Sequence, residues 1–369
     1  MHHSANIDSI PFATRPVALV PAYMPDSRLK DVVKSLLESK WIQCVVCVND
    51  GSGDSYSGIF DELSQIGVTV ISHEKNLGKG RALRTGMSEI LRRYPETQGV
   101  VTFDADGQHL PKDIARVAEA LMSNRKTLVL GSRTALREAP LRSRFGNYLT
   151  GKMLTLFTGI RLMDTQTGLR GIPAELIPLL LRLETSGYDF EFDMLISAGG
   201  QKNSIKEIPI QTVYIDDNES SHFNPIQDSA KIYYVLLKHS KVFITAALID
   251  YAIFWAVFLW AEKLFISLAV CRMSAVIYYF LVSYRPAHGP GKKSVALILK
   301  SFVLVGASFI SYFGINAGTE YLNVPLFVSR IGIDVIILTL LLSLFRRFRM
   351  FQCGPIQNSS RSSRRTEAV

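Results

Sequence analysis

Two regimes of hydrophobic patterning divide the chain. Up to about Ser240, short apolar runs alternate with amphipathic stretches and charged turns; from Lys241 onward, long apolar runs are separated by short polar clusters. In the first regime Val17–Tyr23 reads as a buried strand, Ser27–Lys40 as a helix and Ile42–Val48 as a second strand. Strand, helix, strand at this spacing implies a parallel sheet. A third strand over Val68–Ser72 leads through a glycine-rich turn into an amphipathic helix ending near Tyr94. Val100–Phe103 and Thr127–Leu130 supply a fourth and a fifth strand, and Asp164–Arg170 returns to the sheet. In the second regime Val242–Trp260, Leu264–Tyr284, Val295–Ala317 and Leu326–Phe345 each approach the roughly 20 residues that span hydrocarbon. None has the polar face that a helix of a soluble bundle would show.

The expected layout is therefore an N-terminal tail over 1–16, a mostly parallel Rossmann-like α/β domain over 17–240, an all-α domain of four transmembrane helices over 241–350, and a basic tail over 351–369. A chain of 369 residues with 48% hydrophobic content is long enough for both domains. Arg285, Lys292 and Lys293 between the second and third spans, and Arg346, Arg347 and Arg349 after the fourth, predict that both termini face the cytoplasm. Met1–Arg15 has no apolar core of a signal segment, which fits a first domain that stays in the cytoplasm at the inner membrane. The formal charge of +9 then suits anionic headgroups better than nucleic acid. Cys44-x-x-Cys47 lies within a strand and has no second pair to complete a zinc site, so it reads as packing.

Candidate chemistry gathers where strands end. Asp104 and Asp106 follow an apolar strand at i and i+2, where the pleat puts them on one face and lets them converge on a divalent cation; Gln108 offers a further oxygen. Asp50 and the Pro21-Ala22-Tyr23 turn fall at other carboxyl ends, where open α/β sheets collect ligands. Asp50-Gly51 is equally ordinary turn chemistry. Gly78-Lys79-Gly80-Arg81 precedes a helix, so free backbone N–H groups and two cations could dock a phosphate. Arg133, Arg137, Arg142 and Arg144 precede the amphipathic stretch Phe145–Ile160; guanidinium forks suit phosphate oxygens, and the stretch suits a membrane interface. Arg170 reads as structural, paired with Asp164 or Glu191.

Taken in order, Pro21-Ala-Tyr23, Asn49-Asp50-Gly-Ser-Gly-Asp54, Asn76-x-Gly78-Lys79-Gly80-x-Ala82, Asp104-Ala-Asp106-Gly-Gln108-His109, Gly131-Ser-Arg133 and Asp164-Thr-Gln-Thr-Gly168-Leu-Arg170 resemble the motifs of glycosyltransferase family 2. The nearest branch is the polyprenyl-phosphate sugar transferases, and the region after Ser240 resembles a GtrA-like membrane domain. This resemblance implies a GT-A fold, a UDP- or GDP-linked sugar donor, Mg²⁺ or Mn²⁺, and a polyprenyl phosphate acceptor. It assigns Pro21, Ala22, Tyr23 and Asp50 to the base and ribose, Lys79 and Asp104 to the donor, Asp106 and Gln108 to the metal with Asp104 beside them, and Arg133 and Arg144 to the acceptor phosphate. Two segments depart from the pattern. Met24-Pro25-Asp26 stands where Asn-Glu is usual, and Asp216–Phe223 replaces a basic segment, leaving His222 as the nearest substitute.

The expected activity is inverting transfer of a sugar to the lipid phosphate. A processive polysaccharide synthase would need an Arg-Trp acceptor motif, which this chain lacks. A lipid-sugar translocator or a scaffold with an inactive transferase domain is the alternative, disfavoured by retention of both aspartates. A homo-oligomer is compatible with the sequence. Asp250, Arg272, Lys300, Arg330 and Asp334 fall at or near membrane depth, and pairs such as Asp250 with Arg272 and Arg330 with Asp334 are expected.

Overall fold

A computed structural model describes residues 10–133, 146–148, 150–152, 154–155, 160–187, 189–199, 205–211, 245–283, 306 and 309–347. The chain divides into two compact units, and Leu236–Gln352 forms the second. The first is built on strands β1 (Val17–Ala22), β2 (Val45–Asn49), β3 (Thr69–Ser72), β4 (Gly99–Thr102), β5 (Leu128–Arg133), β6 (Arg170–Pro173) and β7 (Ile205–Ile210). They form one sheet in the order β3-β2-β1-β4-β6-β5-β7. All pairings are parallel except those of β6, which runs antiparallel between β4 and β5.

Helices cover both faces, which is why β1, β2 and β4 read as unbroken apolar runs. α1 (Arg28–Leu37), α2 (Ser57–Gln65) and α4 (Pro111–Ser123) bury Leu29, Val33, Phe60, Ile114 and Val117 against Ala18, Val20, Val45 and Val101. α3 (Lys79–Arg93) packs on the opposite face of β1 and β2, beside the Asp189–Gly199 helix. The predicted strands are present with their ends shifted by a few residues. α2, α4, the Asp189–Gly199 helix and β7 were not among the elements expected from the pattern. Cys47 is packed inside β2, where burial pushes its thiol up to about 12.

The inversion of β6 positions the site. Parallel strands β1, β2, β3 and β4 all finish at one edge of the sheet, and an antiparallel neighbour must enter from that edge. Thr102 pairs with Arg170, so the loop ending in Gly168 is delivered directly beside the residues that follow β4.

In the second unit, helices run over residues 245–261, Leu264–Ser283, 309–316 and Leu326–Arg347. Phe254, Leu268, Cys271 and Ile315 form its core. Both expected ion pairs form, but they are joined crosswise. Arg272 reaches Asp250 at 3.1 Å and also contacts Asp334; Arg330 reaches Asp250 at 2.7 Å and Asp334 at 3.5 Å. Arg330 is also stacked 3.5 Å over the Phe254 ring. Around this charged interior the surface is apolar, with Trp260, Leu259, Met273 and Phe313 exposed.

The expectation of four transmembrane helices needs correction. Among the described residues, no helix is long and apolar enough to cross a membrane. Residues 242–244, 284, 295–305 and 307–308 of the expected spans lie outside the described residues, and the side chains of 338–347 are likewise outside. What the described part shows instead is a cluster whose charges face inward.

Candidate active site

The first unit brings most of the sequence-predicted residues to the carboxyl edge of β1, β2 and β4. Pro21 pairs with Val48, and the Ala22 carbonyl accepts the Asp50 N–H at 2.8 Å, tying the first two motifs together. Tyr23 follows, and the Met24 N–H donates to the Ser52 hydroxyl at 3.0 Å. Asp26, in the segment that departs from the usual pattern, sits just before α1: it accepts the Arg28 N–H at 2.8 Å and the Nε and Nη2 groups of the same guanidinium at 2.9 Å. The Arg28 hydrogen bonds hold its carboxyl below the usual range.

Asp50 is 3% exposed. Its oxygens take His73 Nδ1 at 2.7 Å, the Leu77 N–H at 3.0 Å and the Gly78 N–H at 2.8 Å. The carboxylate therefore braces the turn into α3. That turn leaves the expected phosphate cradle at Gly78–Arg81 partly occupied. The Gly78 N–H is already taken by Asp50 and Asn76, and the Arg81 N–H by the Gly78 and Ser186 carbonyls. Gly78 is needed for another reason: its φ is +94°, and a Cβ there would strike the Ser186 carbonyl.

The cations of this turn separate. Lys79 Nζ lies 2.6 Å from Asp104 Oδ1 and 3.0 Å from Glu191 Oε2. Asp104 Oδ2 faces His109 Nε2 at 3.3 Å. Burial works against the charge of Asp104, but Lys79 and His109 outweigh it and hold its carboxyl well below the ordinary range. Asp106 behaves oppositely: burial and then the Asp104 charge push its carboxyl up. Its Oδ1 accepts the N–H of the buried Gln108 at 3.0 Å. Gly168 closes this wall, since a Cβ there would run into the Asp104 carboxylate; its carbonyl accepts the Thr102 hydroxyl at 2.9 Å.

This donor set fits a divalent cation. Two carboxylates repel one another in a partly desolvated site, a situation that a bound cation relieves. No group of three or more His, Cys, Asp or Glu side chains shaped for a metal exists among the described residues, so part of the coordination would come from a ligand such as a diphosphate.

Arg133 and Arg144 differ in what can be said. Arg144 lies outside the described residues, as do Arg137, Arg142 and His222. Arg133 forks onto Asp164 at 2.6 and 2.9 Å. The Asp164 loop is itself held by Glu207, which accepts the Met163 and Asp164 N–H groups. Arg170 is buried and structural: it donates to the Thr167 carbonyl at 2.9 Å and lies 3.9 Å from Glu191, while Asp164 belongs to Arg133. Two site residues carry roles that the sequence reading did not assign. His109 faces Asp104, and Glu191 clamps Lys79. Glu191 shares its helix with Asp189 and Asp193, so nothing in the local pattern singled it out as the partner of Lys79.

Comparison with known proteins supports the family resemblance. Residues 17–176 match the family described as Glycosyl transferase family 2. The chain is 31% identical over 245 residues to the UDP-N-acetylglucosamine--dolichyl-phosphate N-acetylglucosaminyltransferase of Methanococcus voltae, covering 61% of this chain and 96% of that protein. It is 26% identical over 205 residues to the polyprenol monophosphomannose synthase of Mycolicibacterium smegmatis, covering 53% of this chain and 76% of the relative. A mycobacterial protein of known crystal structure shares the α/β fold, with a TM-score of 0.50 and 18% identity over 64% of this chain and 78% of its own. With almost the whole length of one relative matched, and each motif set at one edge of a single sheet, the chain belongs to glycosyl transferase family 2.

Proposed function

We propose that this protein moves a sugar from a nucleotide-sugar donor to a polyprenyl phosphate, in a Mg²⁺- or Mn²⁺-dependent reaction at the cytoplasmic face of a membrane. The observation that carries the reading is the acidic pair at the sheet edge, Asp104 held ionised by Lys79 and Asp106 beside it. The M. voltae and M. smegmatis relatives, whose names specify dolichyl and polyprenol carriers, support the acceptor class, and the first supports a UDP-linked donor.

An acceptor phosphate monoester, with a second pKa of about 6, is already an anionic nucleophile at neutral pH, so no general base is required. Asp106, Asp104 and Gln108 are the residues that would hold the cation, which when bound would neutralise charge on the leaving diphosphate. Lys79, locked between Asp104 and Glu191, places a fixed positive charge beside that position. Pro21, Ala22 and Tyr23 border the base and ribose. Asp50 acts on the donor by fixing the turn that carries Lys79. Arg133, fixed by Asp164, and Arg144 are assigned to the acceptor phosphate. Alignment of the acceptor oxygen with the anomeric carbon is the main task of the protein, and a single displacement inverts that carbon.

Attachment to the bilayer is assigned to the GtrA-like Leu236–Gln352 unit. Its support is the inverted polarity: Asp250 and Arg330 are buried, whereas Trp260 is 86% exposed. The test is transfer from a panel of radiolabelled nucleotide sugars to a short polyprenyl phosphate by purified protein, with and without EDTA. Metal-dependent product from one donor is expected. No product from any donor, or full activity in Asp106→Asn, would overturn the assignment.

A further inference from the structure

A cavity of about 650 Å³ opens beside the edge strand β3, and none of its lining residues touches the acidic pair. One stripe of α3 forms its polar wall. Arg81, Arg84, Thr85, Ser88, Glu89 and Arg93 recur at the three- and four-residue spacing that puts side chains on one helix face. The expected partnership of Lys79 and Arg81 is therefore split: Lys79 turns to Asp104, and Arg81 lines this separate cleft.

The charge of the cleft is unbalanced. Glu89 is its one lining carboxylate, and both of its oxygens are engaged by Arg92, at 2.6 and 2.8 Å. Arg93 also bonds Glu89, which leaves the charges of Arg81 and Arg84 facing the cavity uncompensated by a lining carboxylate. Arg84 is fixed in place: it donates to the Leu183 carbonyl and stacks over the Phe190 ring, while its Nε is buried with no hydrogen-bond partner. Burial and the like charge of Arg81 disfavour its charged form by more than the Asp189 carboxylate favours it. An anion between the two guanidinium groups would relieve that repulsion, and the Ser88 hydroxyl supplies a neutral donor at the same wall, where Thr85 Oγ1 is shared with His73 Nε2 at 3.0 Å.

We propose that this cleft is a second binding site, distinct from the donor site, for a phosphate-class anion held by Arg81 and Arg84. The test is calorimetric titration of the full-length protein in detergent micelles with inorganic phosphate, in EDTA and at ionic strength fixed with chloride. Saturable binding is expected in the wild type and in Lys79→Gln, weakened by about tenfold or more in Arg84→Gln. Arg81→Gln, on the exposed start of α3, is the companion variant and guards against misfolding at Arg84. Unchanged affinity in both arginine variants, or binding lost in Lys79→Gln and kept in them, would overturn the site. Phosphatidic acid doped into the micelles identifies the source: competition with phosphate supports a lipid headgroup as occupant, and its absence supports a free phosphate.

Discussion

The two units handle buried charge in opposite ways. At the sheet edge Lys79 bridges Asp104 and Glu191, Arg170 lies near Glu191 and His109 faces Asp104, whereas Asp106 makes no ion pair among the described residues, so the network is left open at that carboxylate. In the second unit Asp250 and Asp334 meet Arg272 and Arg330 in a closed ring in which each acid touches both bases. An open network has something left to bind. A charge-balanced one does not, and its role is to fix helices in register, where a lone charge would be costly.

The largest effect is expected from opening the closed ring. Arg330→Leu leaves Asp250 and Asp334 without one of their two bases and should destabilise the second unit by about 3–5 kcal/mol. Thermal unfolding in detergent would show it, and adding Asp250→Asn should recover part of the loss. If Arg330→Leu unfolds like the wild type, the ring is not structural.

Removing the excess acid should do the reverse. Asp106→Asn is expected to lower transfer by about a hundredfold or more while leaving the melting temperature unchanged or raised, because burial and Asp104 already disfavour its charge. A fall in stability equal to the fall in rate would erase the contrast between the units.

A smaller effect separates binding from bracing at Arg133. Arg133→Ala should raise the KM for polyprenyl phosphate by about tenfold, but it also strands the buried Asp164. The double variant with Asp164→Asn restores stability and should keep the KM defect. If KM returns to normal in the double variant, Arg133 only positions the loop.

The smallest effect is in pH. Asp106 has a raised carboxyl pKa, so protons compete with a metal there at a pH above the ordinary aspartate range, and Mn²⁺ affinity should weaken as pH falls through it. Asp104 has a lowered pKa; its contribution to stability is present above the unfolded-state value and is lost only as pH falls through the much lower folded one. Mn²⁺ titrations from neutral to mildly acidic pH should thus weaken in the wild type and stay flat in Asp106→Asn.

Local chemistry made much of this legible. The apolar runs Val17–Ala22 and Val100–Phe103 announce strands buried on both faces, whereas Asp104 and Asp106, expected to share a face by the pleat, lie in the turn that follows β4. The four long apolar ranges likewise marked out the second unit, and the pairing of Asp250, Arg272, Arg330 and Asp334 followed from the cost of isolated charge among apolar neighbours.

What the sequence by itself determined, then, are the properties that depend on a few adjacent residues: strand identity, the acidic pair, and the division of the chain into two kinds of patterning. Tertiary structure decided which partner each charge takes. Lys79 meets Glu191 from a helix more than a hundred residues later, Arg133 finds Asp164 from the loop that leads into β6, and Asp50 braces Gly78. The reason is that a charge in a desolvated site takes the counter-charge that the fold brings nearest, and proximity in the fold is set by β6 running against its neighbours.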